Sequence, residues 1–250
     1  MVKHDFLRPW VLITGGSKGI GRALVTAFST QVHVVFTWHN DQQACLDTLA
    51  HCAEAGGSVE AIQCDGGNDA LVGQTGAMLV ERLGAPVGVV HNAGVTLDAL
   101  HISQTGERWR QVMNTNLNAL FYWNQVLLPS MMAQGKGAVV FISSVSGAVR
   151  GNVGQTAYSA SKAAMIGLCR SLALEVGRFG LRVNCVAPGM IDSEMLKTMP
   201  ADKFKVLARQ IPLRRIGKPE DVVSAVQFLM SDESPWITGQ CLTVDGGMSL

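Results

Sequence analysis

Seven short apolar runs alternate with helix-like segments along this chain of 250 residues, and the alternation constrains the fold more than any other feature. The runs span residues 10–14, 32–37, 58–64, 87–91, 138–143, 181–187 and 241–244. Strands this apolar need cover on both faces, which helical crossovers between parallel strands provide. Because such crossovers are right-handed, the pattern predicts an α/β protein with a doubly wound, seven-stranded parallel sheet and helices on both faces.

The helix-like segments continue this alternation along the chain. They span residues 19–29, 41–55, 70–83, 108–132, 158–175 and 219–230. No linker or repeat divides the sequence, and 48% hydrophobic residues suit one large core, so we expect residues 1–250 to form a single domain. The least regular segment, 192–219, is expected to form a small helical flap over a ligand site at the carboxyl ends of the strands.

The charge and cysteine content exclude several classes of partner. A net charge of +1 without blocks of like charge argues against nucleic acid or an acidic membrane surface. The start of the chain is too polar for a signal peptide, and no apolar run reaches transmembrane length. The six cysteines show no CxxC spacing, so we expect reduced thiols in a cytoplasmic protein, with no metal site.

A glycine-rich loop follows the first predicted strand and opens the first predicted helix. Its glycines have the spacing G-x-x-x-G-x-G, which lets backbone N–H groups approach a pyrophosphate at the positive end of the helix. This context predicts a dinucleotide site in a Rossmann-type sheet. The candidate residues of the loop are Gly15, Ser17, Lys18, Gly19, Ile20 and Gly21.

The end of the second strand bears on which dinucleotide binds. An acidic residue there would accept a hydrogen bond from the adenosine 2′-hydroxyl and favour NAD. This chain has Thr37 and His39 at that point, and its first acid is Asp41. With Lys18 available in the glycine loop, the sequence favours a 2′-phosphate, and therefore NADP or NADPH as cofactor.

Tyr158 and Lys162 lie one turn apart on one face of a predicted helix. A nearby ammonium favours the ionised phenol, so the spacing predicts a tyrosine whose pKa is lowered for proton transfer. Ser144 follows the fifth predicted strand, where its hydroxyl could donate to a developing oxyanion. Ser143 is the neighbouring alternative for that role.

Taken together, these motifs resemble the classical short-chain dehydrogenase/reductase family, and within it the 3-oxoacyl-[acyl-carrier-protein] reductases. The resemblance covers the chain from Thr14 to its end. The residues that carry it are Thr14–Gly21, Asp65, Asn92-Ala93-Gly94, Asn116, Ser144, Tyr158–Lys162, Gly154–Ala157, Val183–Gly189, Ile237–Gln240 and Val244–Gly247.

The resemblance implies roles for further residues. Asp65 would bind the adenine amine, and the turn formed by Asn92, Ala93 and Gly94 would pass beside the adenine ribose. Lys162 would also hold the nicotinamide ribose, and Asn116 would hold a water that links Lys162 to solvent. Asn116, which Asn114 and Asn118 crowd, could instead be a structural residue at a helix kink. The remaining cofactor residues would be Pro188, Gly189, Ile191 and Ser193.

Two departures from the family pattern lie near the expected cofactor site. His91 replaces an asparagine, which is expected to alter hydrogen bonding along the fourth strand. Gly66 and Gly67 follow Asp65 in place of a β-branched residue, which is expected to loosen the adenine pocket.

The resemblance also implies an activity and partners. The expected reaction is NADPH-dependent reduction of a 3-oxoacyl thioester on acyl carrier protein, with Ser144, Tyr158, Lys162 and Asn116 as catalytic residues. An acidic carrier needs basic residues near the site mouth, and Lys136, Arg150 and Arg178 are the candidates. The family forms tetramers through helices that correspond to residues 108–132 and 158–175, and the low charged content of 16% agrees with covered surfaces.

Two other functions remain open from the sequence. A short-chain reductase or dehydrogenase could act on a free ketone or alcohol such as a sugar, polyol or steroid. A family member without activity could serve as a structural or regulatory subunit, although the complete Ser144, Tyr158 and Lys162 set argues against it.

Overall fold

The computed structural model describes residues 9–192 and 201–250, with 201–205 described by their backbone alone. The predicted cofactor residue Ser193 therefore lies outside the described residues. Seven strands form one parallel sheet in the order β3-β2-β1-β4-β5-β6-β7, which confirms the predicted fold class. The strands are β1 Trp10–Thr14, β2 His33–Trp38, β3 Val59–Gln63, β4 Gly88–His91, β5 Gly137–Ile142, β6 Leu181–Pro188 and β7 Cys241–Val244.

Helices connect these strands. The α-helices are α1 Gly19–Ser29, α2 Gln42–Glu54, α3 Asp69–Leu83, α4 Gly106–Met113, α5 Ala119–Gln134, α6 Val145–Ala148, α7 Thr156–Val176, α8 Ala201–Gln210 and α9 Pro219–Met230. The single helix expected over 108–132 is in fact α4 and α5, joined by a π-helical turn over Asn114–Asn118. Such turns are frequent at functional sites because they re-aim side chains within a helix.

The two faces of the sheet are buried under different helices. Trp10 and Leu12 of β1 pack with residues of α3, α5 and α7, whereas Val11 and Ile13 pack with residues of α1, α2 and α9. Successive side chains of a strand point to opposite faces, so a strand covered on both sides must be apolar throughout. All five residues of β1 are buried, which explains its unbroken apolar run.

The strand order reverses beside β1. The chain leaves β1 for β2 and β3 on one side and returns to β4 on the other. Thr14 at the end of β1 pairs with His91 at the end of β4. In an open parallel sheet this reversal leaves a crevice outside the carboxyl ends of the strands, where ligands bind.

The segment expected to form a flap contains α8. Before it, Asp192 donates its backbone N–H to the Gly217 carbonyl (2.7 Å), and Gly217 donates to the Met190 carbonyl (3.0 Å). These bonds join the two ends of the segment to the carboxyl end of β6. Among the described residues, no helix is long and apolar enough to cross a bilayer.

Candidate active site

A cavity of about 790 Å³ opens at the carboxyl ends of the central strands. Its walls bring together the glycine-rich loop, the ends of β2 and β4, and the residues Ser144, Tyr158 and Lys162. Of the predicted cofactor residues that the structure describes, all line this cavity: Gly15, Ser17, Lys18, Gly19, Ile20, Gly21, Thr37, His39, Asp65, Asn92, Ala93, Gly94, Tyr158, Lys162, Pro188, Gly189 and Ile191.

The glycine loop packs too closely for larger side chains. A Cβ on Gly21 would lie 2.1 Å from the Gly15 carbonyl oxygen and 2.6 Å from Asn92 Nδ2. Asn92 Nδ2 donates to the carbonyl oxygens of Thr14 (3.1 Å) and Gly15 (2.9 Å). Thr14 Oγ1 in turn accepts from the backbone N–H groups of Asn92 and Ala93, both at 3.1 Å. These bonds fix the loop against the end of β4.

Arg22 holds the other side of the loop, and sequence analysis did not single it out. Its guanidinium donates to the Ser17 carbonyl at 2.9 and 3.2 Å, to the Ala44 carbonyl at 3.2 Å and to Thr48 Oγ1 at 3.0 Å. The donors of one arginine therefore link the loop to α2. The only sequence signal is a lone arginine in the first turn of α1, one residue after Gly21.

Charged groups meet at the end of β2. Lys18 Nζ lies 2.5 Å from Asp41 Oδ2, and His39 Nε2 lies 3.9 Å from Asp65 Oδ2. The hydrogen bond from Lys18 and the backbone N–H of Ala44 hold the pKa of Asp41 below its ordinary value. Asp41 therefore brings a carboxylate to the region where the sequence indicated a cation alone.

The glycines after Asp65 are tightly held. Asp65 Oδ1 accepts the Gly67 N–H at 2.9 Å, and Asn114 Nδ2 donates to the Gly67 carbonyl at 2.8 Å. A Cβ on Gly67 would lie 2.7 Å from Asn114 Nδ2, so the glycine admits the asparagine. Asn114 from the π-helical turn therefore fixes the backbone that follows Asp65.

Ser144, Tyr158 and Lys162 converge in the cavity, from the loop after β5 and from the first turns of α7. Ser144 hydrogen-bonds Tyr158, and Lys162 Nζ lies 5.6 Å from the centre of the Tyr158 ring. The rival Ser143 is buried, and its hydroxyl donates to the Lys162 carbonyl at 2.8 Å. The two serines therefore differ in place: Ser144 contacts the phenol, and Ser143 fixes the backbone of α7.

Burial dominates the ionisation of both groups. The pKa of Tyr158 is raised above its ordinary value because burial disfavours the phenolate; the Ser144 hydrogen bond opposes the rise, and the charge of Asp98 adds to it. Burial lowers the pKa of Lys162 to about 8. The sequence predicted a lowered tyrosine pKa, which the structure contradicts: Lys162 Nζ donates to the Ile142 carbonyl at 2.7 Å, and desolvation is the largest influence on the pKa of the phenol.

Asn116 lies in the π-helical turn and is fully buried. Its Oδ1 accepts the Val95 N–H at 2.7 Å, and its Nδ2 donates to the Val95 carbonyl and to Ser161 Oγ, both at 3.0 Å. The side-chain amide thereby joins the loop after β4 to α7. It does not line the cavity itself.

His91 is buried at the end of β4, where the sequence departs from the family pattern. Its Nε2 bonds Asn124 Oδ1 at 2.9 Å, whereas its Nδ1 has no hydrogen-bond partner. Burial lowers the pKa of His91 to about 4, so the ring is neutral at pH 7.

Two of the three candidate docking residues were misplaced by sequence reasoning. Lys136 immediately precedes β5 and pairs with Asp232 at 2.8 Å, and Arg178 follows α7 just before β6. Both therefore lie at the amino ends of the strands, opposite the cavity. The cause is the direction of α7, whose 21 residues run back along the sheet for about 30 Å. Arg150 follows α6, beyond the carboxyl end of β5, and lies on the cavity side.

Comparisons with known proteins show which family this chain is similar to. A family model described as enoyl-(acyl carrier protein) reductase matches residues 15–249. The 3-oxoacyl-[acyl-carrier-protein] reductase of Chlamydia trachomatis is 39% identical over 242 residues, which cover 95% of this chain and 96% of that protein. The acetoacetyl-CoA reductase of a Synechocystis species is 39% identical over 240 residues, which cover 94% of each protein.

A solved structure extends the similarity to three dimensions. A mutant short-chain dehydrogenase/reductase of Serratia marcescens has a TM-score of 0.89 against this chain at 28% identity, covering 97% of this chain and 98% of that one. Family model, relatives and structure span nearly the whole sequence. The chain therefore belongs to the short-chain dehydrogenase/reductase family.

Proposed function

We propose that this protein catalyses the NADPH-dependent reduction of a 3-oxoacyl thioester, carried by acyl carrier protein, to the 3-hydroxyacyl thioester. Such a step belongs to fatty-acid or related polyketide and polyene synthesis. The observation that carries the proposal is the convergence of Ser144, Tyr158 and Lys162 in the cavity that the glycine loop also lines. Several relatives at 35–39% identity are named for this reaction.

The cavity fits a nicotinamide dinucleotide. The close contact of Gly21 with Gly15 leaves backbone at the wall of the cavity, at the N-terminus of α1, where a pyrophosphate binds. Asp65 and the turn at Asn92 are the candidates for the adenosine, and Lys162 with Pro188 and Gly189 for the nicotinamide end. When bound, the reduced cofactor supplies a hydride to the carbonyl carbon.

The chain itself supplies the proton and stabilises the charge on the substrate oxygen. Tyr158 carries its proton at pH 7, since its pKa is raised further above the ordinary value of 10.0, so it can donate to an oxygen that becomes alkoxide-like. Ser144 donates a second hydrogen bond, which strengthens as charge builds on that oxygen. Lys162 is charged below pH 8 and is oriented by its bond to the Ile142 carbonyl. Asn116 holds the Val95 loop against α7, and a water held in this turn would return the proton to Lys162.

The preference for NADPH rests on the end of β2. Lys18 and His39 line the cavity there and are the candidates to bind a 2′-phosphate. Asp41 lies 2.5 Å from Lys18 and opposes that binding by charge repulsion. The preference for NADPH over NADH therefore depends on how the Lys18–Asp41 ion pair rearranges when the cofactor binds.

The proposed carrier interaction uses Arg150. It is exposed on the loop between α6 and α7, which leads directly to Tyr158. A basic side chain there would attract an acidic carrier and raise the association rate.

All six cysteines are unpaired thiols in the structure, in keeping with a cytoplasmic protein.

Steady-state kinetics on a panel of substrates tests the proposed activity. The panel is acetoacetyl-acyl carrier protein, acetoacetyl-CoA, a 2-enoyl thioester, and free ketones and alcohols, each with NADPH and NADH. We expect the highest kcat/KM with the carrier-bound 3-oxo substrate and NADPH. Preference for acetoacetyl-CoA would support the activity named for the Synechocystis relative. Turnover of the enoyl thioester or of free alcohols with NAD alone would reject the proposal.

A charge-reversal pair tests the docking surface. Arg150→Glu should raise KM for the carrier-bound substrate about tenfold and leave KM for acetoacetyl-CoA unchanged, because only the carrier meets this residue. Lys136→Glu is the matched control at the opposite end of the sheet and should change neither value. Equal effects of the two substitutions would exclude Arg150 as a docking residue.

A further inference from the structure

Three thiols from separate elements meet beneath α7. Cys169 lies on α7, Cys185 on β6 and Cys241 on β7, and all three side chains pack in the same hydrophobic core. Cys185 and Cys241 are direct partners in the parallel ladder. Cys169 Sγ lies 3.3 Å from the Val183 carbonyl oxygen of β6 and 3.9 Å from the carbonyl oxygen of Gln240, which immediately precedes β7. The proposed reduction uses none of these groups.

The three thiols differ in access and acidity. Cys169 and Cys185 are buried, whereas Cys241 is half-buried on the edge strand. The hydrogen bond from Cys185 lowers the pKa of Cys241, and the charge of Arg170 lowers it further, while burial opposes both. The pKa of Cys185 is raised, chiefly by its hydrogen bonds to the neighbouring thiols. An accessible, acidified thiol beside a second thiol is the usual arrangement of a redox-sensitive cysteine.

We propose that Cys241 is an oxidation site for peroxides and that Cys185 is its resolving thiol. The Cys241 thiolate attacks one peroxide oxygen, the O–O bond breaks, and the departing oxygen takes up a proton as water or alcohol. Cys241 becomes a sulfenic acid. The Cys185 sulfur then displaces its hydroxyl group as water and forms the disulfide, so the two thiols lose two electrons and the peroxide gains them.

The backbone geometry permits this bond. Neighbouring strands lie about 4.8 Å apart, within the Cα separations of about 4.4–6.8 Å that a disulfide bridges. Because the two cysteines are register partners, their side chains lie on the same face of the sheet. The neighbouring Cys169 is the competing partner for Cys241.

The thiol cluster is connected to the proposed active site. Cys185 Sγ donates to the Met165 carbonyl at 3.7 Å, and Lys162 Nζ contacts Met165 Sδ at 4.0 Å. A disulfide removes the Cys185 donor and pulls its sulfur toward β7. The turn of α7 that carries Lys162 then loses a contact, so oxidation should lower the reductase rate. This consequence rests on the proposed function, whereas the thiol chemistry does not.

Peptide mapping of the full chain after hydrogen peroxide treatment tests the thiol chemistry. We expect a Cys185–Cys241 linked peptide to form at least about tenfold faster than oxidation of Cys45, which is a buried residue of α2, and dithiothreitol to remove the link. Cys241→Ser should abolish the link, and Cys45→Ser, the matched control, should retain it. Urea unfolding of each variant confirms that the protein is folded.

Two results would overturn the proposal. A Cys169–Cys241 link would exclude Cys185 as the resolving thiol, and oxidation of Cys45 as fast as that of Cys241 would exclude a sensitive site. Activity is a separate readout. The kcat of the linked wild type should fall at least about threefold and recover with dithiothreitol. The kcat of peroxide-treated Cys241→Ser should be unchanged. A fully linked protein with unchanged kcat would reject the connection through Met165.

Discussion

Burial moves the pKa values of Tyr158 and Lys162 in opposite directions, because one group is neutral and the other charged when protonated. At pH 7 both groups carry their proton. This is the state that proton donation to a substrate oxygen requires. A lowered tyrosine pKa, which the helical spacing suggested, would make the phenol a stronger acid, but the raised value keeps it protonated over a wider range of pH.

Tyr158→Phe tests the proton donor. The substitution keeps the ring and removes the hydroxyl, so we expect kcat to fall by about a hundred- to ten-thousandfold with unchanged cofactor affinity. Steady-state rates and a fluorescence titration with NADPH measure the two quantities. Retained kcat would show that another group supplies the proton.

The buried Lys162 should make stability depend on pH. Its pKa is about 8 in the folded protein and 10.5 when unperturbed, so between these values the unfolded chain binds more protons. Stability contributed by this group is therefore lowest below pH 8 and rises with pH. Lys162→Met removes the dependence, so its free energy of unfolding relative to wild type should fall by about 2 kcal/mol from pH 8 to pH 10. Urea unfolding at both pH values measures it, and a constant difference would contradict the lowered pKa.

Lys18 and Asp41 form a pair whose variants test cofactor preference. Lys18→Ala should raise KM for NADPH about tenfold and leave KM for NADH unchanged, because a charged hydrogen bond to a phosphate contributes on the order of 1.5–3 kcal/mol. Asp41→Asn keeps the acceptor for the Ala44 N–H and should lower KM for NADPH. If both variants change KM for NADH and NADPH equally, these residues do not contact a 2′-phosphate.

At the scale of elements, the site depends on contacts between segments far apart in sequence. Asn92 and Arg22 hold the glycine loop from two sides, and the π-helical turn brings Asn114 and Asn116 to two other loops. Glycine spacing predicted the loop. It could not predict which polar side chains fix the loop, since Asn92 follows β4 and Arg22 reaches its further partners on α2.

Two glycine-to-alanine substitutions separate the effect of close packing on stability from the effect of helix propensity. Gly21→Ala places a Cβ 2.1 Å from the Gly15 carbonyl oxygen, so we expect a destabilisation of about 1–3 kcal/mol and weaker cofactor binding. Gly73 lies in α3, and a Cβ added there would have no neighbouring atom from outside its own helix within 4 Å. Gly73→Ala should therefore stabilise the protein by about 0.5–1 kcal/mol. Thermal or urea unfolding measures both, and a neutral Gly21→Ala would contradict the close contact.

At the scale of the whole molecule, two helices present exposed apolar side chains. Leu174 on α7 is 85% exposed and Phe121 on α5 is 54% exposed. Both helices lie on the same face of the sheet and contribute to the same core. This face is where a homotetramer would bury further surface, as the resemblance implies.

Charge substitution on this face tests the assembly. Light scattering should give a tetramer for the wild type and a smaller species for Leu174→Glu, because a buried carboxylate opposes association. Leu46→Glu, at a 50% exposed leucine of α2 on the other face, is the control and should remain tetrameric. A monomeric wild type would contradict the expected homotetramer.

The sequence alone determined the sheet. Each predicted strand end lies within one residue of the observed end, because a short and mainly apolar run between helix-like segments is a local signal. Strand direction and the glycine loop then located the cavity, and the Tyr158–Lys162 spacing located its catalytic helix. All these inferences depend on residues close together in the chain.

Only the tertiary structure decided the rest. It showed that Lys136 and Arg178 lie opposite the cavity, that Asp41 pairs with Lys18, and that burial raises the pKa of Tyr158. It also brought Cys169, Cys185 and Cys241 together from three elements. Solvent exclusion and contacts between distant segments set ionisation and thiol proximity, and neither quantity is encoded in a local pattern of residues.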